Sequence, residues 1–226
     1  MNEYEKLSLI TNALVALATF LAVFIAIFWS KILSLIFKIK LKLFDSNTSG
    51  EIVNLLSIDE NGNLKYNEVG EPIIKDTGYY FHLKVINESI SYLIENCSVC
   101  LVKVERKQAN GLFKEEPLTV KRYFQFAPSE LYKNQFQINF THDIDVDFGS
   151  IRSRNRQFIP NLITIPTNCN ISVRSGEVVR YHLKVFAKSY KSKSTYIYQV
   201  SWDGIYISQD DKNDKINNHL IIERII

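Results

Sequence analysis

Residues 196–208 read YIYQVSWDGIYIS. Two strand-like runs rich in Tyr, Ile and Val flank Asp203-Gly204, a dipeptide suited to a type I′ turn, where both central residues need positive φ. The spacing predicts a β-hairpin with Trp202 facing Ile205 across the turn. Asn61-Gly62 and Asn110-Gly111 carry the same signal, each between strand-like runs.

Outward from these turns the period stays at two. IKLKLF (39–44) alternates apolar residues with lysine, and further strand-like stretches cover 79–87, 97–106, 118–126, 136–148, 179–187 and 219–226. FHLKV (81–85) and YHLKV (181–185) each place three apolar side chains on one face, leaving His82, Lys84, His182 and Lys184 on the other. FIPNLITIPTNCN (158–170), with Pro160 and Pro166, reads as a long edge or crossover loop. No run of 43–226 shows a helical stripe. The expected fold is mainly β, an antiparallel, immunoglobulin-like sandwich in one domain.

Before it stands a segment of another kind. Leu7 to Ser30 is LSLITNALVALATFLAVFIAIFWS, 24 residues without a charge. As a helix it reaches about 36 Å, enough for a hydrocarbon core of about 30 Å. The expected organisation is a tail (1–6), a transmembrane helix (7–30), a basic juxtamembrane segment (31–42) and the sandwich (43–226). An acidic start and a long apolar run argue against a cleaved signal peptide. Lys31, Lys38, Lys40 and Lys42 follow the helix, whereas one Lys and two Glu precede it. That asymmetry predicts a single-pass protein of the inner (plasma) membrane with its C-terminal domain in the cytoplasm, the four lysines meeting anionic lipid. Ala18, Ala22, Ala26 and Ser30 recur every four residues, a spacing at which two such helices pack closely into a homo-oligomer.

Charge narrows the function classes. Residues 43–226 hold 22 basic and 22 acidic residues, so the net +3 of the chain belongs to the N-terminal segment. A nucleic-acid partner is not expected of a neutral domain. Five Asn-x-Ser/Thr triplets occur among 19 asparagines, a number that chance supplies. Three cysteines describe no disulfide framework, and Cys97 and Cys100, three apart on a strand, cannot chelate together. They read as buried thiols. His82, His142, His182 and His219 all lie in strand-like runs, and no hydrolase, Walker or dinucleotide motif occurs. No cofactor, metal or catalytic residue is expected. The lysines of AKSYKSKSTY (187–196) read as a solvated hairpin tip.

One motif invites chemistry. Residues 143–156, DIDVDFGSIRSRNR, space aspartate and then arginine at every second position. A calcium loop would need Gly where Phe148 stands and Glu where Arg154 stands. If Gly149-Ser150 forms a two-residue turn, Asp147 faces Arg152, Asp145 faces Arg154 and Asp143 faces Arg156. The motif then reads as a self-neutralising charge ladder. A cation or phosphate site and an irregular loop are the alternatives.

VRYHLKVFAKSY, YIYQVSWDGIYIS and the final HLIIERII resemble a loose family of bacterial single-pass membrane proteins, built from a short anchor and a β-sandwich. The resemblance implies that architecture and no activity. The expected function is a non-enzymatic, membrane-anchored module that binds a protein partner at the cytoplasmic face. The alternative is a membrane effector of a bacterial stress or antiphage system, whose β domain senses a ligand and whose clustered anchors disturb the bilayer.

Overall fold

The computed structural model describes residues 2–36, 39–89, 93–128, 131, 132, 135, 137–188, 190–192, 195–208 and 214–225. The chain divides into two compact units, 1–40 and 41–226. The first contains one helix, α1 (Glu3–Ile36), of which Lys6–Phe28 is long and apolar enough to cross a membrane. Leu7 and Phe20 are exposed, as are the other large apolar residues from Leu9 to Ile27. Its hydroxyls are satisfied within the helix, Thr11 donating to the Leu7 carbonyl (3.0 Å) and Thr19 to that of Val15 (2.9 Å). A hydrocarbon environment requires such internal bonds.

The second unit is mainly antiparallel β, in two sheets with a sandwich-like architecture. Its strands are β1 (Leu41–Leu56), β2 (Ile74–Asn87), β3 (Ile94–Lys107), β4 (Phe113–Glu115), β5 (Arg122–Tyr123), β6 (Gln125–Phe126) and β7 (Ile138–Phe140). There follow β8 (Asp143–Arg152), β9 (Phe158–Pro160), β10 (Glu177–Ala187), β11 (Tyr190–Lys191), β12 (Tyr196–Trp202) and β13 (Leu220–Arg224). One sheet runs β1-β2-β8-β6 with β9 beside β8; the other runs β13-β12-β10-β3-β4, with β11 on β10 and β5 and β7 on β3. The domain starts at Leu41, so Lys42 belongs to a strand.

The period-two reading holds where the sheets face each other. Phe81, Leu83 and Val85 of β2 and Tyr181, Leu183 and Val185 of β10 are all buried. Phe148 of β8 joins the sheets, its ring 5.8 Å from Tyr181 and 5.5 Å from Tyr198. Phe158 adds a third contact at 5.5 Å. Aromatic pairs at such distances contribute about 0.5–1.5 kcal/mol each beyond their area. The outward histidines of the twin motifs each meet a carboxylate on the neighbouring strand, His82 with Asp147 (2.9 Å) and His182 with Glu105 (2.8 Å). The crossover at 158–176 is clasped by Arg106, whose guanidinium donates to Glu116 (3.1 Å) and to the carbonyls of Asn170 (2.8 Å) and Ser172 (2.9 Å).

The turns depart from expectation. Asp203-Gly204 closes no hairpin: β12 pairs instead with β13, Trp202 opposite Leu220. Ile205 does not face Trp202, because 205–207 peels away toward β2, where Tyr79 donates to the Ile207 carbonyl (3.1 Å). Gly204 is needed there, since a Cβ would lie 2.2 Å from the Ser175 hydroxyl oxygen. Asn61-Gly62 and Asn110-Gly111 do turn the chain, yet only the glycines take positive φ (+86° and +82°). Both are three-residue loops, Asp59 N–H to Asn63 O and Gln108 N–H to Leu112 O (2.8 Å each), rather than type I′ turns.

The charge ladder is also corrected. Gly149-Ser150 lies inside β8, which runs unbroken to Arg152 between β2 and β9. A Cβ on Gly149 would come 2.2 Å from the Phe158 ring, so the glycine serves close packing and makes no turn. Asp143 and Asp145 are neutralised from β2 by Lys84 (3.0 and 3.8 Å), and Asp147 meets His82 of the same strand. None of the three faces Arg152, Arg154 or Arg156.

Candidate functional site

Beyond Leu56 the β1/β2 ladder branches. Ser57 N–H donates to Ile73 O (2.8 Å), Ile73 N–H to Lys65 O (2.9 Å) and Lys65 N–H to Ser57 O (2.9 Å). This ring of three bonds is a junction from which two small hairpins project. In the first, Ile58 stands opposite Leu64; in the second, Tyr66 stands opposite Pro72. Both close in the same way: Gly62 N–H reaches Asp59 O (3.1 Å) and Gly70 N–H reaches Asn67 O (3.0 Å). In each, the first loop side chain accepts two backbone N–H bonds, Asp59 from Asn61 and Asn63, and Asn67 from Val69 and Glu71. Sequence and structure therefore repeat every eight residues, IDENGNLK (58–65) then YNEVGEPI (66–73).

This arm has no core. Val69 is 84% exposed, Ile58 58%, Tyr66 56% and Ile74 53%. A few short strands without a buried face contribute little stability of their own, and the hydrogen-bonded ring holds them in place. These apolar side chains are presented to water, Val69 in the loop of the second hairpin. The charge of the arm is not that of the domain: residues 56–74 contain Asp59, Glu60, Glu68 and Glu71 against Lys65, a net of −3. The sequence reading saw one turn here and missed the arm; the signal was Gly62 and Gly70, each three residues after an Asp or Asn.

A second feature lies on the outer face of the first sheet. A cleft of about 440 Å³ is bordered by His82, Asp147, Glu51, Val53, Leu55 and Pro128. Asp147 is buried and holds the His82 imidazole above its ordinary pKa, against the opposing effect of burial. The Nδ1 contact at 2.9 Å is out of line with the N–H, so it acts as an ion pair more than as a hydrogen bond. Glu51 approaches Nε2 at 3.8 Å. The described residues lining the cleft include a base and acids but no serine, cysteine, threonine or lysine to act as a nucleophile.

The remaining sequence candidates scatter. Cys97 and Cys100 are buried free thiols, pushed up by burial to about 12 and about 11. Among the described residues no three His, Cys, Asp or Glu side chains group as metal ligands. Ala18, Ala22 and Ala26 recur along one stripe of α1. The side chains of Ser30 and Lys31, and all of Lys38, fall outside the described residues. Lys40 is exposed, while Lys42 is paired with Glu88 (2.6 Å), a bond that any lipid phosphate must compete with. No protein-family profile, no curated protein and no solved structure matches the chain.

Proposed function

We propose that the protein is a membrane-anchored, non-enzymatic binding module that docks a protein partner through the arm at residues 56–74. The observation that carries this reading is the arm itself: a hydrogen-bonded double hairpin whose apolar side chains are presented to water. The 16 residues of β1 separate Leu41, where the chain enters the domain, from the arm. That is up to about 50 Å of strand. The excess of −3 selects a partner with basic residues around an apolar centre, and it disfavours both an anionic membrane surface and the arm of a second copy.

The lysines after the span support, through positive-inside asymmetry, a domain at the cytoplasmic face of a bacterial plasma membrane. Lys40 supports contact with anionic headgroups, and the stripe of Ala18, Ala22 and Ala26 supports self-association of the anchor.

The test is in-cell crosslinking followed by affinity recovery of the full chain, against the variant Ile58→Ser/Tyr66→Ser/Val69→Ser. Surface changes of this kind alter stability by only about 0.5 kcal/mol each. The variant is expected to keep its Tm and lose recovery of a discrete partner by at least about tenfold, the effect of removing roughly 1.4 kcal/mol of contact. Equal recovery by both chains would refute the arm as the docking element.

A further inference from the structure

Freed from the aspartates, two of the three arginines of the 143–156 motif come together elsewhere. After Arg152 the chain turns through 153–155 against the root of β2. Ser153 N–H donates to Thr77 O (3.0 Å), and Arg154 Nη2 donates to Lys75 O (2.7 Å). These bonds set a cleft of about 340 Å³ with an apolar wall of Leu55, Leu56 and Ile58, and a cationic wall of Lys75, Arg152 and Arg154. Arg152 also borders a second cleft of about 300 Å³, whose walls include the amides of Gln125, Gln157 and Asn161.

The charge of the first cleft is not balanced from within. Its acid is Asp76, and that carboxylate is already engaged by the Ser153 hydroxyl and by the Thr77 N–H (2.9 Å). Neither the Lys75 ammonium nor the Arg152 guanidinium has a hydrogen-bond or ion-pair partner among the described residues. Elsewhere in the motif every aspartate has a basic partner from β2. Three cations around one committed carboxylate leave an excess of two positive charges in a domain that is neutral as a whole. Like charges held side by side attract an anion, and the planar guanidinium matches phosphate and carboxylate oxygens in pairs.

We infer that this cleft binds an oxyanion, phosphate or carboxylate, carried on a small organic body. The anion meets Lys75, Arg152 and Arg154. The body lies against Leu55, Leu56 and Ile58, and its hydrogen-bonding groups extend past Arg152 to the amides of the second cleft. The volumes are those of small-molecule sites. The inference stands independently of the partner reading of the arm.

The experiment measures the thermal stability of the full chain in micelles of an uncharged detergent. The probes are inorganic phosphate and glutarate, each compared with sodium chloride at the same ionic strength. At ten times Kd the bound probe is expected to raise Tm by about 3–6 °C. A larger shift with phosphate assigns a phosphate ligand; a larger shift with glutarate assigns a carboxylate. Arg152→Gln and Lys75→Gln, both at exposed positions, are expected to abolish the shift, whereas Lys107→Gln on β3 retains it. The inference is overturned if chloride gives the same shift, if neither probe gives one, or if Arg152→Gln responds like the parent chain.

Discussion

Gly149 shows how much a single residue decides. A methyl group there would meet the Phe158 ring at 2.2 Å and the Ile159 carbonyl oxygen at 2.9 Å, with backbone on one side and a packed aromatic on the other. Gly149→Ala is expected to destabilise the domain by about 1–3 kcal/mol, the usual cost of overpacking, read as a lower midpoint in urea. The sequence carried this information ambiguously. Gly-Ser between alternating Asp and Arg satisfies a turn rule, while glycine inside an apolar run satisfies a close-packing rule, and the position of Phe158 chooses between them.

Two histidines give the domain its pH dependence. His82 faces Asp147, Glu51 and Asp145; His219 is held between Asp203 (2.7 Å) and Asp214 (2.6 Å). Both are raised above the ordinary value, chiefly by the adjoining carboxylates of Asp147 and Asp214 respectively. Their stabilisation is therefore complete below a pH of about 6.5 and is lost as pH rises through the raised values. Asp214 moves the other way, lowered to about 2 by His219, Asn218 and the Lys215 N–H. Its contribution is present above about 4 and is lost on further acidification. Urea midpoints across pH are expected to plateau between these limits, with the alkaline decline reduced in His219→Asn. An alkaline limb unchanged by that substitution would show that the clasp contributes nothing.

At the scale of elements, what was legible followed from periodicity. β2, β10 and β12 bury alternate side chains, and alternation is visible one strand at a time. Pairing partners were not legible. Asp203-Gly204 has the composition of a hairpin turn, but its neighbour in the sheet is β13, and β12 joins it through a loop that ends in the short helix Ile216–Asn218. Long-range pairing overrides local turn chemistry there, because Ser175 and His219 fill the space around the Asp203-Gly204 corner. The arm was hidden for another reason. Its hairpins present no alternating buried face, so a pattern search tuned to cores passes over it, and only the eight-residue recurrence of Asp/Asn and Gly reveals it.

For the molecule as a whole, the long apolar helix and the mainly β domain are what sequence and structure agree on. The molecular logic proposed above is that a neutral sandwich carries two displaced charges. An acidic, apolar arm is offered to a protein, and a basic cleft at its root is offered to an anion. The most direct test of the first and central claim is photo-crosslinking in cells from a reactive residue installed at Val69, compared with one at Leu112, which is 69% exposed on a different loop. The account expects a discrete adduct with a protein partner from Val69 and none from Leu112. No adduct from Val69, or the same products from both positions, would contradict it.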